Sequence, residues 1–179
     1  MKNILFILLL FSTKPGVSQS ESSAKIDWTT WENVLTKTQS ASRKVMVFVT
    51  TDWAGWGKRM ESEINKTQEI IKLLNNNYYV IKMDAEQKED ISISGRIYRY
   101  IPNGRRGYNE LAAELLNGRM SYPAIVFLDE KLSKITFING YQTPIKMDAI
   151  LNYFAKDIYK EITFEQYWRN YKIEKGIID

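Results

Sequence analysis

The stretch Lys44-Val45-Met46-Val47-Phe48-Val49-Thr50-Thr51-Asp52-Trp53-Ala54-Gly55-Trp56-Gly57-Lys58 decides how the rest of the chain is read. Val45 to Val49 are consecutive apolar residues with β-branched members, which leaves no face for water and marks a buried strand over Lys44 to Thr50. From Ala54 a helix is expected toward Asn65, with Trp56, Met60 and Ile64 at steps of four on one face. A second helical pattern, Thr67 to Asn75, turns Ile70, Ile71 and Leu74 inward. The cluster Asn75-Asn76-Asn77 reads as a loop before a strand over Tyr78 to Met83. This β-α-β order implies two parallel strands joined by a right-handed crossover.

Working outward, Thr29 or Thr30 caps an earlier helix whose apolar face uses Trp31, Val34 and Leu35. Gln87 to Gly107 is polar and bears glycines, with Ile97 to Ile101 as an apolar island, so it reads as an insertion holding one short element. A helix over Asn109 to Leu116 follows, with Gly118 just past its end. Tyr122-Pro123 then leads into a strand over Ala124 to Leu128, and Lys134 to Ile138 completes a hairpin across Asp129-Glu130. A helix over Pro144 to Ile158 and a short helical appendix over Thr163 to Tyr171 close the chain. Strands alternating with helices and ending in a hairpin make an α/β fold with a mixed central sheet.

The 179 residues, 44% of them hydrophobic, suffice for one sizeable core but not for two. Residues 1–19 read as a signal peptide: Lys2 supplies the positive start, Ile4 to Phe11 an apolar block, and Pro15-Gly16-Val17-Ser18 the small residues. The block falls well short of the roughly 20 residues that span a bilayer, so no integral membrane segment is expected after cleavage. Residues 20–27 read as a flexible start, 28–158 as the folded domain and 159–179 as the appendix. Cleavage removes two of the 25 basic residues and leaves 23 against 21 acidic, a net +2 that gives no reason to expect nucleic-acid binding. Arg105-Arg106, with Arg96 and Arg99 nearby, reads first as a solvated loop face and second as a seat for an anionic group. Histidine and cysteine are both absent. That removes imidazole bases, thiol nucleophiles and the usual zinc and haem ligands, and Asp84, Glu86, Glu89 and Asp90 lack calcium-loop spacing, so no metal or cofactor is expected.

Trp53-Ala54-Gly55-Trp56-Gly57-Lys58 behind a buried strand, with Tyr122-Pro123-Ala124-Ile125-Val126-Phe127-Leu128-Asp129 downstream before two antiparallel strands, resembles the thioredoxin family over about residues 28–158. More narrowly, Thr51 to Glu61 resembles a secreted bacterial branch with Thr-Asp-Trp-Cys-Gly-Trp-Cys-Lys. The resemblance implies a thioredoxin fold, a cis peptide bond before Pro123, and an insertion before that strand. It also implies a dithiol at positions 54 and 57, where the first cysteine attacks a substrate disulfide as thiolate and the second resolves the intermediate. Ala54 and Gly57 hold no sulfur, so no catalytic residue is expected there. Phe48 stands where many members carry a buried acid. Glycine in a first helical turn costs roughly 0.5–1 kcal/mol relative to alanine, and the unequal pair fits natural loss of redox selection better than a deliberate knockout.

The expected function is that of a secreted, periplasmic, redox-inactive protein of this fold that binds an extended peptide or protein client. The resemblance implies a contact surface of Trp53, Gly55, Trp56, Tyr122 and Pro123, with Tyr122 offering backbone groups to the client. Of the two tryptophans, Trp53 is the better surface candidate and the other is expected to pack on the helix. The segment Arg105 to Asn109 either closes over the edge of that surface or only shapes the insertion. Two alternatives stand beside this reading: an inactivated or variant thiol-disulfide oxidoreductase, and an accessory structural component of an envelope assembly.

Overall fold

A computed structural model describes residues 24–177. The segment expected to be a signal peptide lies outside them. The central sheet has five strands: β1 (Trp28–Thr29), β2 (Lys44–Thr50), β3 (Tyr78–Asp84), β8 (Ala124–Leu128) and β9 (Lys134–Asn139), in the spatial order β1-β3-β2-β8-β9. β1, β3 and β2 are parallel, with Met46 opposite Val80, while β8 runs antiparallel to both of its neighbours, β2 and β9. The fold is a thioredoxin fold, α/β with a mixed sheet between helices.

Alternation along β2 explains its unbroken apolar run. Val45, Val47 and Val49 point to one face, against Trp31 and Val34 of α1 (Trp31–Ser40) and Leu111 and Leu115 of α4 (Glu110–Leu115). Met46 and Phe48 point to the other, against α2 (Gly55–Ile64), α3 (Gln68–Asn77) and α5 (Pro144–Ala155). Each face is sealed by helices, so neither set of side chains meets water. Phe48 is part of this core and stacks obliquely against Trp28 at 6.4 Å.

Several expectations need correction. The Asn75-Asn76-Asn77 run is the end of α3, not a loop. Asn75 accepts from the Asp27 amide and donates to the Lys25 carbonyl, while Asn77 donates back to the Leu73 carbonyl. The same bonds dock the last residues of the stretch expected to be flexible, where Ile26 is buried and the Ala24 amide donates to Gln68. The insertion holds two hairpins, not one element: β4 (Ile91–Ile93) with β5 (Arg96–Tyr98), and β6 (Tyr100–Asn103) with β7 (Arg106–Asn109). The last long helix stops at Ala155, because Asp157 takes the left-handed conformation before a short 3-10 turn, Ile158–Lys160. Leu35 is half-buried, not inward.

The appendix is α6 (Phe164–Glu174), begun by a capping box in which Thr163 and Gln166 satisfy each other's backbone amides. It packs on α5 through an aromatic cluster of Tyr153, Phe164, Tyr167 and Tyr171, and the Tyr171 hydroxyl donates to Asp148. Among the described residues no helix is long and apolar enough to cross a membrane.

Candidate functional site

The turn from β2 into α2 places the two family sulfur positions inward. Ala54 and Gly57 are buried, on the stripe that continues through Met60 and Ile64. At about 100° per residue that stripe excludes Trp56, which the step-of-four reading had placed inward. Trp53 is 53% exposed and Trp56 58%, so neither tryptophan is packed away. Gly55 lies between them in open space. Thr50 occupies the room beside Gly57: a Cβ on Gly57 would lie 2.1 Å from the Thr50 hydroxyl oxygen. The Thr50 and Thr51 hydroxyls are both buried and have no hydrogen-bond partner among the described residues.

Each exposed tryptophan is built into a stack of its own. The Trp53 indole N–H donates to Glu86 at 2.9 Å, and its ring meets Tyr122 edge-on at 5.9 Å. The Arg106 guanidinium lies 4.3 Å from the Trp53 ring centroid. Trp56 tilts against Tyr141 at 5.4 Å, with Arg59 lying 5.3 Å from both ring centroids. Arg59 and the Tyr141 hydroxyl both donate to Glu63, and these bonds, the tyrosine's first, hold the Glu63 carboxyl below its usual range.

Tyr122 is half-buried, and burial, followed by the nearby Glu86 and Asp84 charges, pushes its hydroxyl up to about 12. The carboxyl of Asp84 is also pushed up, by burial first, then by Asp52, Glu86 and Glu89 against the opposing bond from the Glu86 amide. The Tyr122-Pro123 peptide bond is cis, and Pro123 is buried. The Pro123 carbonyl accepts from Gly140, which joins the loop to the end of β9.

The insertion reaches the site through β7. Ala85 donates to the Thr50 carbonyl and Asn109 donates to the Ala85 carbonyl, so the hairpin is tied to the end of β2. Within the hairpin Gly107 lets β6 and β7 approach closely: a Cβ there would lie 2.4 Å from the Ile101 carbonyl oxygen. Arg106 thereby lies over the site edge, while Arg105 is exposed at the hairpin tip. The remaining arginines of the basic run turn elsewhere, Arg96 to Glu114 at 2.7 Å and Arg99 toward Asp90 at 3.9 Å.

Of the residues expected to form a contact surface, Trp53 and Tyr122 touch, and Trp56 and Gly55 continue the same exposed turn, whereas Pro123 is buried and so does not lie on that surface. Sequence reasoning missed Glu86, Arg59, Glu63 and Tyr141. The four-residue spacing of Arg59 and Glu63 was a usable signal. Tyr141 gave none, because it arrives from the loop after β9.

The comparisons agree with this architecture. The structure is similar to a thioredoxin-fold protein from Helicobacter pylori at 11% identity and a TM-score of 0.59, covering 76% of this chain and 87% of that one. It is similar to a DsbH oxidoreductase at 16% identity and a TM-score of 0.51, covering 84% and 96%. A thioredoxin from Thermus thermophilus gives 16% identity and a TM-score of 0.50, covering 75% and 88%. At these identities the likeness is one of fold. No curated protein matches the sequence. The family model Thioredox_DsbH, described as a protein of unknown function, DUF255, matches residues 9–173, and the chain belongs to that thioredoxin-like family.

Proposed function

We propose that this chain is a secreted thioredoxin-fold protein that binds an extended peptide or protein client without thiol chemistry. The contact surface consists of Trp53, Gly55, Trp56 and Tyr122; Pro123, the fifth residue expected there, is buried and contributes only through the cis turn it makes with Tyr122. The observation that carries the reading is the pair of exposed tryptophans, Trp53 and Trp56, each immediately preceding a buried, sulfur-free position, Ala54 and Gly57. Two indoles half in water forgo burial energy that a partner can recover. Tryptophan, tyrosine and arginine are the residue types that dominate binding energy at interfaces, and both stacks consist of them. The narrower kinship with the secreted Thr-Asp-Trp-Cys-Gly-Trp-Cys-Lys branch and a periplasmic address belong to the same reading. N-terminal sequencing of protein from an envelope fraction tests the cleavage after residue 18 or 19.

The binding test uses a reduced, carboxymethylated unfolded protein as client. Wild type binds it, and the double substitution Trp53→Ala with Trp56→Ala weakens binding by roughly thirtyfold or more, since a single hot-spot aromatic contributes about 2 kcal/mol. Unchanged affinity in that variant, or reduction of insulin disulfides by the unaltered protein, would sink the proposal.

Similarity to a DsbH oxidoreductase supports a second reading, an inactivated member of a disulfide oxidoreductase lineage. Ala54→Cys with Gly57→Cys then yields a reductase once the Thr50 side chain is made to give way. An inert, folded variant with both cysteines and a cut-back Thr50 overturns that reading.

A further inference from the structure

A cleft of about 350 Å³ lies beside the Trp53 stack, walled by Trp53, Tyr122 and Met120 on the body and by Arg106 and Tyr108 on the insertion, with Glu86 among its lining residues. Its chemistry is that of a cation seat, an aromatic face beside a carboxylate. A cation already occupies it. The Arg106 guanidinium stacks on the Trp53 ring at 4.3 Å. This occupant is weakly held, because its nearest approach to Glu86 is 3.8 Å, longer than a hydrogen bond, and its side chain is 54% exposed. It also sits next to the two-residue tip of the β6–β7 hairpin, Gly104-Arg105.

We propose that this cleft receives an arginine side chain of an extended client, and that Arg106 fills the seat in the free protein as a displaceable internal stand-in. The proposal rests on the peptide-binding reading of the Trp53 and Tyr122 surface and adds the chemistry of the client to it. A planar guanidinium can take over both contacts that Arg106 makes, lying flat on the indole and facing the carboxylate. An acidic side chain drawn to Arg106 would meet Glu86, one of the charges that, with Asp52 and Glu89, push the Asp84 carboxyl up after burial. An apolar side chain would fill the cleft at the expense of the Glu86 and Arg106 hydration.

The test measures binding of a labelled extended peptide with apolar flanks and one central arginine, alongside versions with central leucine or glutamate, by fluorescence anisotropy. Wild type is expected to prefer arginine over leucine and leucine over glutamate. Arg106→Ala vacates the seat and raises the preference for the arginine peptide over the leucine peptide by roughly two- to fivefold, with the arginine peptide bound more tightly than by wild type. Glu86→Gln keeps an oxygen for the Trp53 N–H but removes the charge, and lowers arginine-peptide affinity by about three- to tenfold. If Arg106→Ala weakens the arginine peptide, or leucine binds wild type as well as arginine, the seat is overturned while client binding stands. If neither wild type nor Arg106→Ala binds any of the peptides, both the seat and the client-binding reading fall.

Discussion

At the scale of single residues the site turns on Gly57 and Thr50. The absence of sulfur could be read from the chain alone, but the filling of the space could not. Thr50 and Gly57 are seven positions apart and meet only because β2 feeds directly into α2. Replacing a glycine by alanine in an ordinary helix stabilises by about 0.5–1 kcal/mol. Here Gly57→Ala is expected to destabilise by about 1–2 kcal/mol, because the new methyl overlaps the Thr50 hydroxyl. Thr50→Ala should relieve the overlap, so the double variant recovers most of the loss, a coupling read from urea midpoints of the four proteins. Additive losses would show that Thr50 does not occupy the space. The same contact predicts that Ala54→Cys with Gly57→Cys folds better when Thr50→Ala accompanies it.

At the scale of elements, the strands and helices of the body were legible and the insertion was not. Val45 to Val49 of β2 and every position of β8 are apolar, and α3 carries a periodic stripe, so local pattern and burial agree there. Strands β4 to β7 have three or four residues each, too short for alternation to register, and their pairing is set by contacts across the hairpins. The Ile97 to Ile101 island is cut in two, Tyr98 ending one hairpin and Tyr100 starting the next. Asn109 joins this insertion to the body. Fully buried, it accepts from the Leu111 amide to cap α4 and donates to the Glu89 carbonyl. Asn109→Ala is expected to cost about 1–2 kcal/mol through the lost cap and the orphaned carbonyl. Hydrogen exchange should speed up in α4 and in the β6–β7 hairpin together. Faster exchange confined to the first turn of α4 would mean that Asn109 acts as a cap alone.

At the scale of the whole molecule, Lys44 ties the start of β2 to two separate turns in the last third of the chain. Its buried ammonium lies 2.7 Å from Glu130, just beyond β8, and 3.1 Å from Asp157, between α5 and the 3-10 turn. Burial alone would lower the Lys44 pKa, but the bonds to Glu130 and Asp157 outweigh it and raise it. The carboxyls are lowered, Glu130 chiefly by Lys44, and Asp157 chiefly by Lys160 and then, against burial, by Lys44. Lowered carboxyls stabilise the fold above their ordinary values of 4.5 and 3.8, and that contribution is lost as pH falls through the folded pKa values. The raised Lys44 stabilises below its ordinary 10.5 and loses its contribution as pH rises through the folded value. Urea midpoints of wild type and Lys44→Met should therefore differ by a constant amount between those limits and converge beyond them. The difference stays below about 1 kcal/mol per pair, because both carboxylates are more than one-third exposed. A difference independent of pH would show that Lys44 contributes packing alone.

The sequence by itself determined the α/β order, the buried central strands, the strand-to-helix turn at residues 50–57 and the absence of dithiol chemistry. Each of these is written in neighbouring residues or in composition. Only the tertiary structure decided that Ala54 and Gly57 face inward while Trp53 and Trp56 face water, and that Thr50 fills the space beside Gly57. It alone brought Arg106 and Glu86 to Trp53, and Tyr141 to Trp56, from segments distant in the chain. The physical reason is range: periodicity reports which face of one element avoids water, whereas a site assembled where several loops converge depends on pairings that no local pattern encodes.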